Sequence, residues 1–104
     1  MLKVISLNIE GHKHVEKFLP FIEKERPDIF CAQEVVESDF YNLKTRLGMN
    51  GVFAPMSLSL HPEQTGHNTP VQYGLAIFSK HPFSFSEINY FFGDAQNIPP
   101  STKE

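Results

Sequence analysis

The first 34 residues contain two apolar runs with an amphipathic segment between them, and this pattern restricts the fold most strongly. Residues 2–9 and 29–33 are largely apolar on both faces, as expected for strands buried within a sheet. Between them, residues 14–25 repeat apolar side chains at helical spacing, although Pro20 predicts a kink or a restart of that helix. A strand, a helix and a strand in succession predict two parallel neighbouring strands joined by a right-handed crossover.

The sequence after residue 34 continues the α/β pattern. Ser38 is a candidate N-cap for a second helix over residues 39–47, and Gly48 is a candidate helix stop. Residues 61–70 form a polar, turn-rich stretch, and Gly74 predicts a bulge or a close backbone approach. Further strands are predicted over residues 52–60, 71–80 and 83–92.

Length and charge limit the classes of function. A chain of 104 residues is at most one domain, and its 40% hydrophobic content with ten Phe is enough for a core. The net charge of −3 gives no general attraction to nucleic acid or to an anionic membrane. A phosphate-bearing substrate must therefore be held locally, by a metal ion or by a few cationic side chains.

Cysteine content and hydropathy predict a location. The single Cys31 lies in an apolar run, which suits a reducing compartment and excludes an intrachain disulfide. No stretch has the length of a transmembrane segment, and Asn8 and Glu10 interrupt the apolar start of the chain before a signal core could form. We therefore expect a cytoplasmic protein.

Two polar side chains occur where the first two predicted strands end. Asn8 lies near the end of the first strand, and Glu34 directly follows the second. A carboxylate is costly to bury without a cation or a proton, and ligands of open α/β sheets gather at the carboxyl ends of strands. Oxygen ligands of this kind suit Mg²⁺ or Mn²⁺. The alternative is that Glu34 begins a solvated loop and Asn8 caps a turn.

Three segments of the chain resemble, in order, the N-terminal signatures of one superfamily. They are SLNIEG at residues 6–11, PDIFCAQEV at residues 27–35 and YGLAIFSKHP at residues 73–82. The superfamily is that of the endonucleases, exonucleases and phosphatases, which includes pancreatic-type deoxyribonuclease, apurinic endonucleases, neutral sphingomyelinases and inositol polyphosphate 5-phosphatases. Each motif alone is weakly specific, whereas three in the family's order over most of the chain are strongly specific.

The resemblance implies a fold and a set of site residues. The fold would be the N-terminal half of a four-layer α/β sandwich, one mixed β-sheet with flanking helices, so residues 1–104 would be a partial domain without its C-terminal half. Glu34 would bind Mg²⁺ or Mn²⁺ directly, Asn8 would orient the phosphate or the metal, and Gln33 would support their network. Glu10 is at a position where some members carry a metal-holding acid, normally Asp, and a solvent-exposed role for it is equally open.

Two motifs of that superfamily are not found in this sequence. The mid-chain Asp-x-Asn and the C-terminal Ser-Asp-His, which supply the water-activating Asp and the phosphate-binding His, have no match. None of the five histidines belongs to them, and His12 and His14 are interpreted as solvated or capping side chains. The resemblance therefore implies a metal-binding half without its catalytic partner.

Two hypotheses for the function follow. In the first, the chain is the N-terminal fragment of a Mg²⁺-dependent phosphoester hydrolase and is inactive alone. Its substrate would be nucleic acid, a phospholipid head group or an inositol phosphate, and a complementing C-terminal half is a possible partner. In the second, the chain is a non-enzymatic truncated domain that binds a partner protein through an unpaired sheet face.

Overall fold

The structure is a computed structural model that describes residues 2–59 and 70–84. The elements, in chain order, are β1 (Val4–Asn8), α1 (Val15–Glu25), β2 (Ile29–Val36), α2 (Glu37–Leu47), β3 (Asn50–Ser59) and β4 (Val71–Ser79). The polar stretch predicted at residues 61–70 and the strand predicted at residues 83–92 lie almost wholly outside the described residues.

The four strands form one mixed sheet in the order β1-β2-β4-β3. β1 pairs with β2 in parallel, with Asn8 opposite Gln33, as the strand–helix–strand pattern predicted. β4 lies antiparallel between β2 and β3. The expected α/β fold with one mixed sheet and helices is therefore confirmed.

Both helices pack on one face of the sheet, around a cluster of aromatic rings. The rings of Phe30 and Phe78, both fully buried, stack with their centroids 5.7 Å apart. From α1, Phe18 packs against Phe30 with centroids 6.3 Å apart. From α2, Phe40 packs against Phe78 with centroids 5.5 Å apart. These contacts place the hydrophobic core between the sheet and the layer formed by α1 and α2.

The other face of the sheet, here called the open face, carries Val4, Cys31, Leu75 and Ile77. These residues alternate along their strands with residues buried in the core, as the two-residue period of a strand requires. Val4 is 53% exposed, Leu75 43% and Ile77 44%. Cys31 is only partly buried, because it lies on this face opposite Ile77 and not in the core.

Several predicted element boundaries change in the structure. β2 continues to Val36, and α2 begins at Glu37, so there is no loop in which Ser38 could precede and cap that helix. The predicted N-cap is therefore wrong, and Ser38 lies inside the first turn. Gly48 does end α2 in a left-handed conformation with φ 63°.

Within residues 2–59 and 70–84, no helix is long and apolar enough to cross a membrane.

α1 runs through Pro20 as one helix, without the restart that the sequence suggested. Pro20 lies on the exposed side of α1, where water can hydrogen-bond the carbonyl that lacks its helical donor. The buried side carries Val15, Phe18, Leu19 and Ile22, whose packing against the sheet favours a continuous helix.

Asp28 joins three strands at the edge of the sheet where β2 begins. Its carboxylate accepts a hydrogen bond from the Lys3 backbone nitrogen at 2.7 Å, and its own N–H donates to the Lys3 carbonyl at 2.8 Å. Its carbonyl accepts from the Lys80 backbone nitrogen at 3.0 Å. The hydrogen bond from Lys3 lowers the pKa of Asp28, and the charges of Lys80 and His81 add to this while burial opposes it.

Asp28→Asn is expected to weaken the acid sensitivity of the fold. Because the pKa of Asp28 is lower in the folded chain than in the unfolded one, the carboxylate stabilises the fold above about pH 4, the unfolded value. That stability is lost as the pH falls through the folded pKa. Urea unfolding between pH 7 and pH 3 should show a smaller decline for Asp28→Asn than for the wild type. Glu23→Gln, at an exposed position on α1, is the control, and an equal change in both variants would contradict the prediction.

Candidate functional site

Asn8 and Glu34 meet at the edge of the sheet where β1 and β2 approach their carboxyl ends. The Asn8 amide nitrogen, Nδ2, donates a hydrogen bond to Glu34 Oε2 at 2.6 Å. Parallel pairing produces this contact, since the two strands run in register from Val4 opposite Ile29 to Asn8 opposite Gln33. The prediction that the two side chains lie at the same end of the sheet is confirmed.

A β-bulge directs Glu34 out of the regular sheet. The register between β2 and β4 shifts between Ala32 and Val35, and Glu34 has a left-handed backbone with φ 58°. The Glu34 carbonyl accepts a hydrogen bond from the Gly11 N–H at 2.9 Å, which binds the bulge to the loop after β1. The extra residue returns Val35 to the core, where it is fully buried, and leaves the Glu34 side chain at the edge.

Glu10 adds a second acidic side chain in a left-handed conformation, with φ 55°. Its backbone N–H donates to the Asn8 amide oxygen, Oδ1, at 3.0 Å. His14 Nε2 lies 3.9 Å from Glu10 Oε2. A non-glycine residue held at positive φ costs about 1–3 kcal/mol, and such residues cluster at functional sites. Two of the three predicted site residues, Glu10 and Glu34, are held in this way.

These hydrogen bonds define what each side chain can offer a ligand. Asn8 uses its amide nitrogen on Glu34 and one lone pair of its oxygen on Glu10, so a second lone pair of that oxygen remains for a ligand. Gln33 donates from Nε2 to Ser6 Oγ at 3.0 Å, which fixes it against β1. Among residues 2–59 and 70–84, no three His, Cys, Asp or Glu side chains are grouped as a metal site.

A contact between the half-exposed side chain of His12 and the buried carboxylate of Asp39 lies next to this edge and was not predicted. Asp39, in the first turn of α2, is 4% exposed, and its two carboxylate oxygens lie 2.8 and 2.9 Å from His12 Nδ1. The pair ties the loop after β1 to α2, which begins three residues after Glu34. His12 was interpreted as solvated or capping, and its partner is 27 positions away, so only the fold brings them together.

The other three histidines of the chain, His61, His67 and His81, do not take part in these contacts within the described residues. The His81 backbone nitrogen donates to Ser79 Oγ at 3.1 Å, beyond the end of β4 and near the start of β2. His61 and His67 lie outside the described residues.

A shallow cavity of about 300 Å³ borders Glu34 on the side of the open face. It lies where β3 also departs from regular pairing, between Pro55 and Ser57. Met56, Tyr73 and Leu75 line it together with Glu34. The cavity therefore borders both the candidate edge, at Glu34, and the open face, at Leu75.

Comparisons with known proteins match this chain to a family by its sequence and to solved structures by its fold. The sequence model of the Endonuclease/Exonuclease/phosphatase family matches residues 5–103. Among solved structures, an AP endonuclease from Archaeoglobus fulgidus is 24% identical with a TM-score of 0.53, and covers 79% of this chain and 28% of its own. A functionally unknown conserved protein from Enterococcus faecalis V583 is 17% identical with a TM-score of 0.51, over 75% of this chain and 31% of its own.

At these identities the two structural matches show a shared fold. This chain spans less than a third of the length of either matched structure. No curated protein matches the sequence.

Proposed function

The chain belongs to the endonuclease/exonuclease/phosphatase family, and from this membership we propose that it is the N-terminal part of a phosphoester hydrolase that depends on Mg²⁺ or Mn²⁺. The observation that carries the proposal is the Asn8–Glu34 hydrogen bond at the shared end of two parallel strands. Family membership alone implies a phosphoester hydrolase, and this contact supports the further proposal of a metal-binding edge.

Glu34 is proposed as the direct metal ligand. Its carboxylate is the kind of donor that Mg²⁺ and Mn²⁺ prefer, and the bulge and the bond from Asn8 fix its direction. Preorganisation of this kind lowers the entropic cost of binding the ion. A bound ion would neutralise negative charge on a phosphate oxygen.

Asn8 and Glu10 are proposed to support the same ion or its phosphate. The spare lone pair of Asn8 Oδ1 can accept from a metal-bound water, while its nitrogen holds Glu34. Glu10, exposed and tied to Asn8 through its backbone, can supply a second carboxylate through water. One or two carboxylates leave most of an octahedral shell to water and to substrate, which is the usual arrangement for Mg²⁺.

We further propose that the water-activating and phosphate-binding groups come from a complementing C-terminal half. The short span of this chain against its structural relatives supports a partial domain. The open face supports it too, because Val4, Leu75 and Ile77 form an exposed apolar surface of the kind that marks an interaction site.

A second candidate function rests on the same surface. A non-enzymatic domain that binds a partner protein through the open face would also explain the exposed apolar residues. Hydrolysis after addition of a complementing half would support the first function, whereas partner binding without hydrolysis would support the second. Nucleic acid is the first substrate to test, since one structural relative is an AP endonuclease, followed by phospholipid head groups and inositol phosphates. A cytoplasmic location remains a prediction from the sequence.

Glu34→Gln is expected to remove most of the Mn²⁺ affinity of the chain. With so few protein ligands, the wild type should bind Mn²⁺ weakly and more tightly when inorganic phosphate is present. Loss of the charged ligand should weaken binding by about tenfold or more, which corresponds to roughly 1.4 kcal/mol. Water-proton relaxation during a Mn²⁺ titration measures this directly.

Glu37→Gln is the matched control, because it removes the same charge three residues further along the chain, in the first turn of α2. Its Mn²⁺ affinity should stay close to that of the wild type. Equal binding by the wild type and Glu34→Gln would show that Glu34 is not the ligand.

A further inference from the structure

A second cavity, of about 520 Å³, lies at the opposite end of the sheet from Glu34 and between the C-terminal ends of α1 and α2. Three cationic residues are among those that line it: Arg26 after α1, Arg46 in the last turn of α2, and Lys80 after β4. Glu23 is the single carboxylate among the lining residues. We call this the cationic cavity.

We propose that the cationic cavity binds the phosphate group of a small organic phosphate monoester. The whole chain carries a net charge of −3, so three cations around one cavity are a local concentration in an acidic protein. A phosphate monoester is close to a dianion at neutral pH, and Arg offers it paired N–H donors in a planar fork. The proposal concerns a different edge of the sheet from the proposed metal site and does not depend on it.

The three cations keep most of their capacity for a ligand. Arg46 Nη1 lies 3.2 Å from Glu16 Oε1, but that Glu16 side chain is 81% exposed. Lys80 Nζ lies 3.8 Å from Asp28 Oδ1. The Arg46–Glu16 pair is exposed, and exposed pairs contribute about 0–1 kcal/mol, so a phosphate can compete for Arg46. Within the described part of the chain, the Arg26 guanidinium has no recorded hydrogen bond or ion pair.

The helix ends do not need these side chains as hydrogen-bond donors. Cations are favourable near helix C-termini, where unpaired carbonyls carry partial negative charge. In α1, however, the Ile22 carbonyl accepts from the Arg26 backbone N–H at 3.0 Å, and the Glu25 carbonyl accepts from Lys3 Nζ at 2.7 Å. In α2, the Gly48 N–H bonds to the carbonyls of the last turn. These donors are backbone groups or lie outside the cavity, so its side chains are not the groups that cap the helices.

The backbone of Arg26 gives an independent indication. Arg26 is left-handed, with φ 49° and ψ 59°, at the helix C-cap. This conformation suits glycine, whose lack of a Cβ removes the penalty of about 1 kcal/mol that other residues incur. A non-glycine residue held in this conformation is a backbone outlier, which supports a functional role for Arg26, and Arg26 is among the residues that line the cavity.

One wall of the cavity is apolar. Leu47 and Met49, both partly buried against the core, line it beside the cations. A volume of about 520 Å³ is within the range of pockets that bind small organic molecules. The combination of cations and an apolar wall fits a phosphate attached to a hydrophobic group better than it fits inorganic phosphate.

Calorimetric titration of the chain with phenyl phosphate and with inorganic phosphate, in EDTA to exclude divalent metals, tests the proposal. We expect saturable binding at one site, tighter for phenyl phosphate. Arg26→Gln should weaken binding of phenyl phosphate by about tenfold, as loss of a charge-assisted hydrogen bond does. Lys24→Gln removes the same charge from the same end of α1 but at a residue that does not line the cavity, and should change the affinity by less than about twofold.

Arg26→Gly separates binding from folding. Glycine suits the left-handed backbone, so this variant should be at least as stable as the wild type while binding phenyl phosphate about tenfold more weakly. Equal weakening by Lys24→Gln and Arg26→Gln would show only general charge attraction and would overturn the proposal. An Arg26→Gly variant that binds as tightly as the wild type, or a wild type without saturable binding, would overturn it as well.

Discussion

Gly74→Ala is expected to destabilise the fold of this chain by roughly 3 kcal/mol or more. Gly74 is buried in β4, and a Cβ added there would overlap the Ala54 carbonyl oxygen and lie 2.8 Å from the Met56 nitrogen. Both atoms belong to the backbone of β3, so neither can rotate away, and the paired strands would have to separate. A loss of that size is a substantial part of the total stability of about 5–15 kcal/mol that a single domain has, and it would raise the ratio of unfolded to folded chain by about a hundredfold or more. Urea unfolding followed by circular dichroism measures the loss.

Gly48→Ala is the matched control for this prediction. Gly48 has φ 63°, but an added Cβ would meet no atom within 4 Å. Its substitution should cost only the conformational penalty of about 1–2 kcal/mol. If Gly74→Ala were no more destabilising than Gly48→Ala, the close approach of β3 to β4 would be refuted.

The rate of bis(p-nitrophenyl) phosphate hydrolysis in the presence of this chain alone is expected to equal the rate in Mg²⁺ buffer without protein. The family motifs that supply the water-activating Asp and the phosphate-binding His have no match in the 104 residues. Catalytic groups that act as a unit are strongly non-additive, so the proposed metal-binding edge without the other groups should give almost no acceleration. A colorimetric assay at saturating Mg²⁺, repeated with nicked DNA, measures the rate.

Glu34→Gln decides how any observed rate is interpreted. Hydrolysis by the wild type that disappears in Glu34→Gln would show that this chain suffices for catalysis, and the proposal of a complementing half would fail. Hydrolysis that persists unchanged in Glu34→Gln would indicate a contaminating enzyme. Glu37→Gln again controls for the removal of one acidic charge.

The sequence predicted the part of the fold that depends on periodicity. The parallel pairing of β1 with β2 followed from apolar runs separated by a helical repeat. The meeting of Asn8 with Glu34 then followed from the direction of parallel strands, because both residues come near the carboxyl end of their strand. The close approach at Gly74 followed from a glycine within a strand pattern.

The features that sequence did not predict depend on contacts between distant residues. The left-handed backbone of Glu34 forms in a bulge that the Gly11 N–H stabilises, and no local preference of glutamate favours it. The same bulge carries β2 directly into α2, which is why Ser38 does not act as a cap. The pairing of His12 with Asp39 depends on how α2 packs after that bulge, so neither side chain indicates it locally.

The left-handed backbones of Glu10 and Glu34 have a consequence for protein engineering. A search for thermostable variants would favour glycine or asparagine at both positions, since each relieves about 1 kcal/mol of conformational strain. The same substitutions would delete both acidic side chains of the proposed metal-binding edge. Stability-guided redesign should therefore exclude these two positions, because a gain in melting temperature there would coincide with loss of the proposed function.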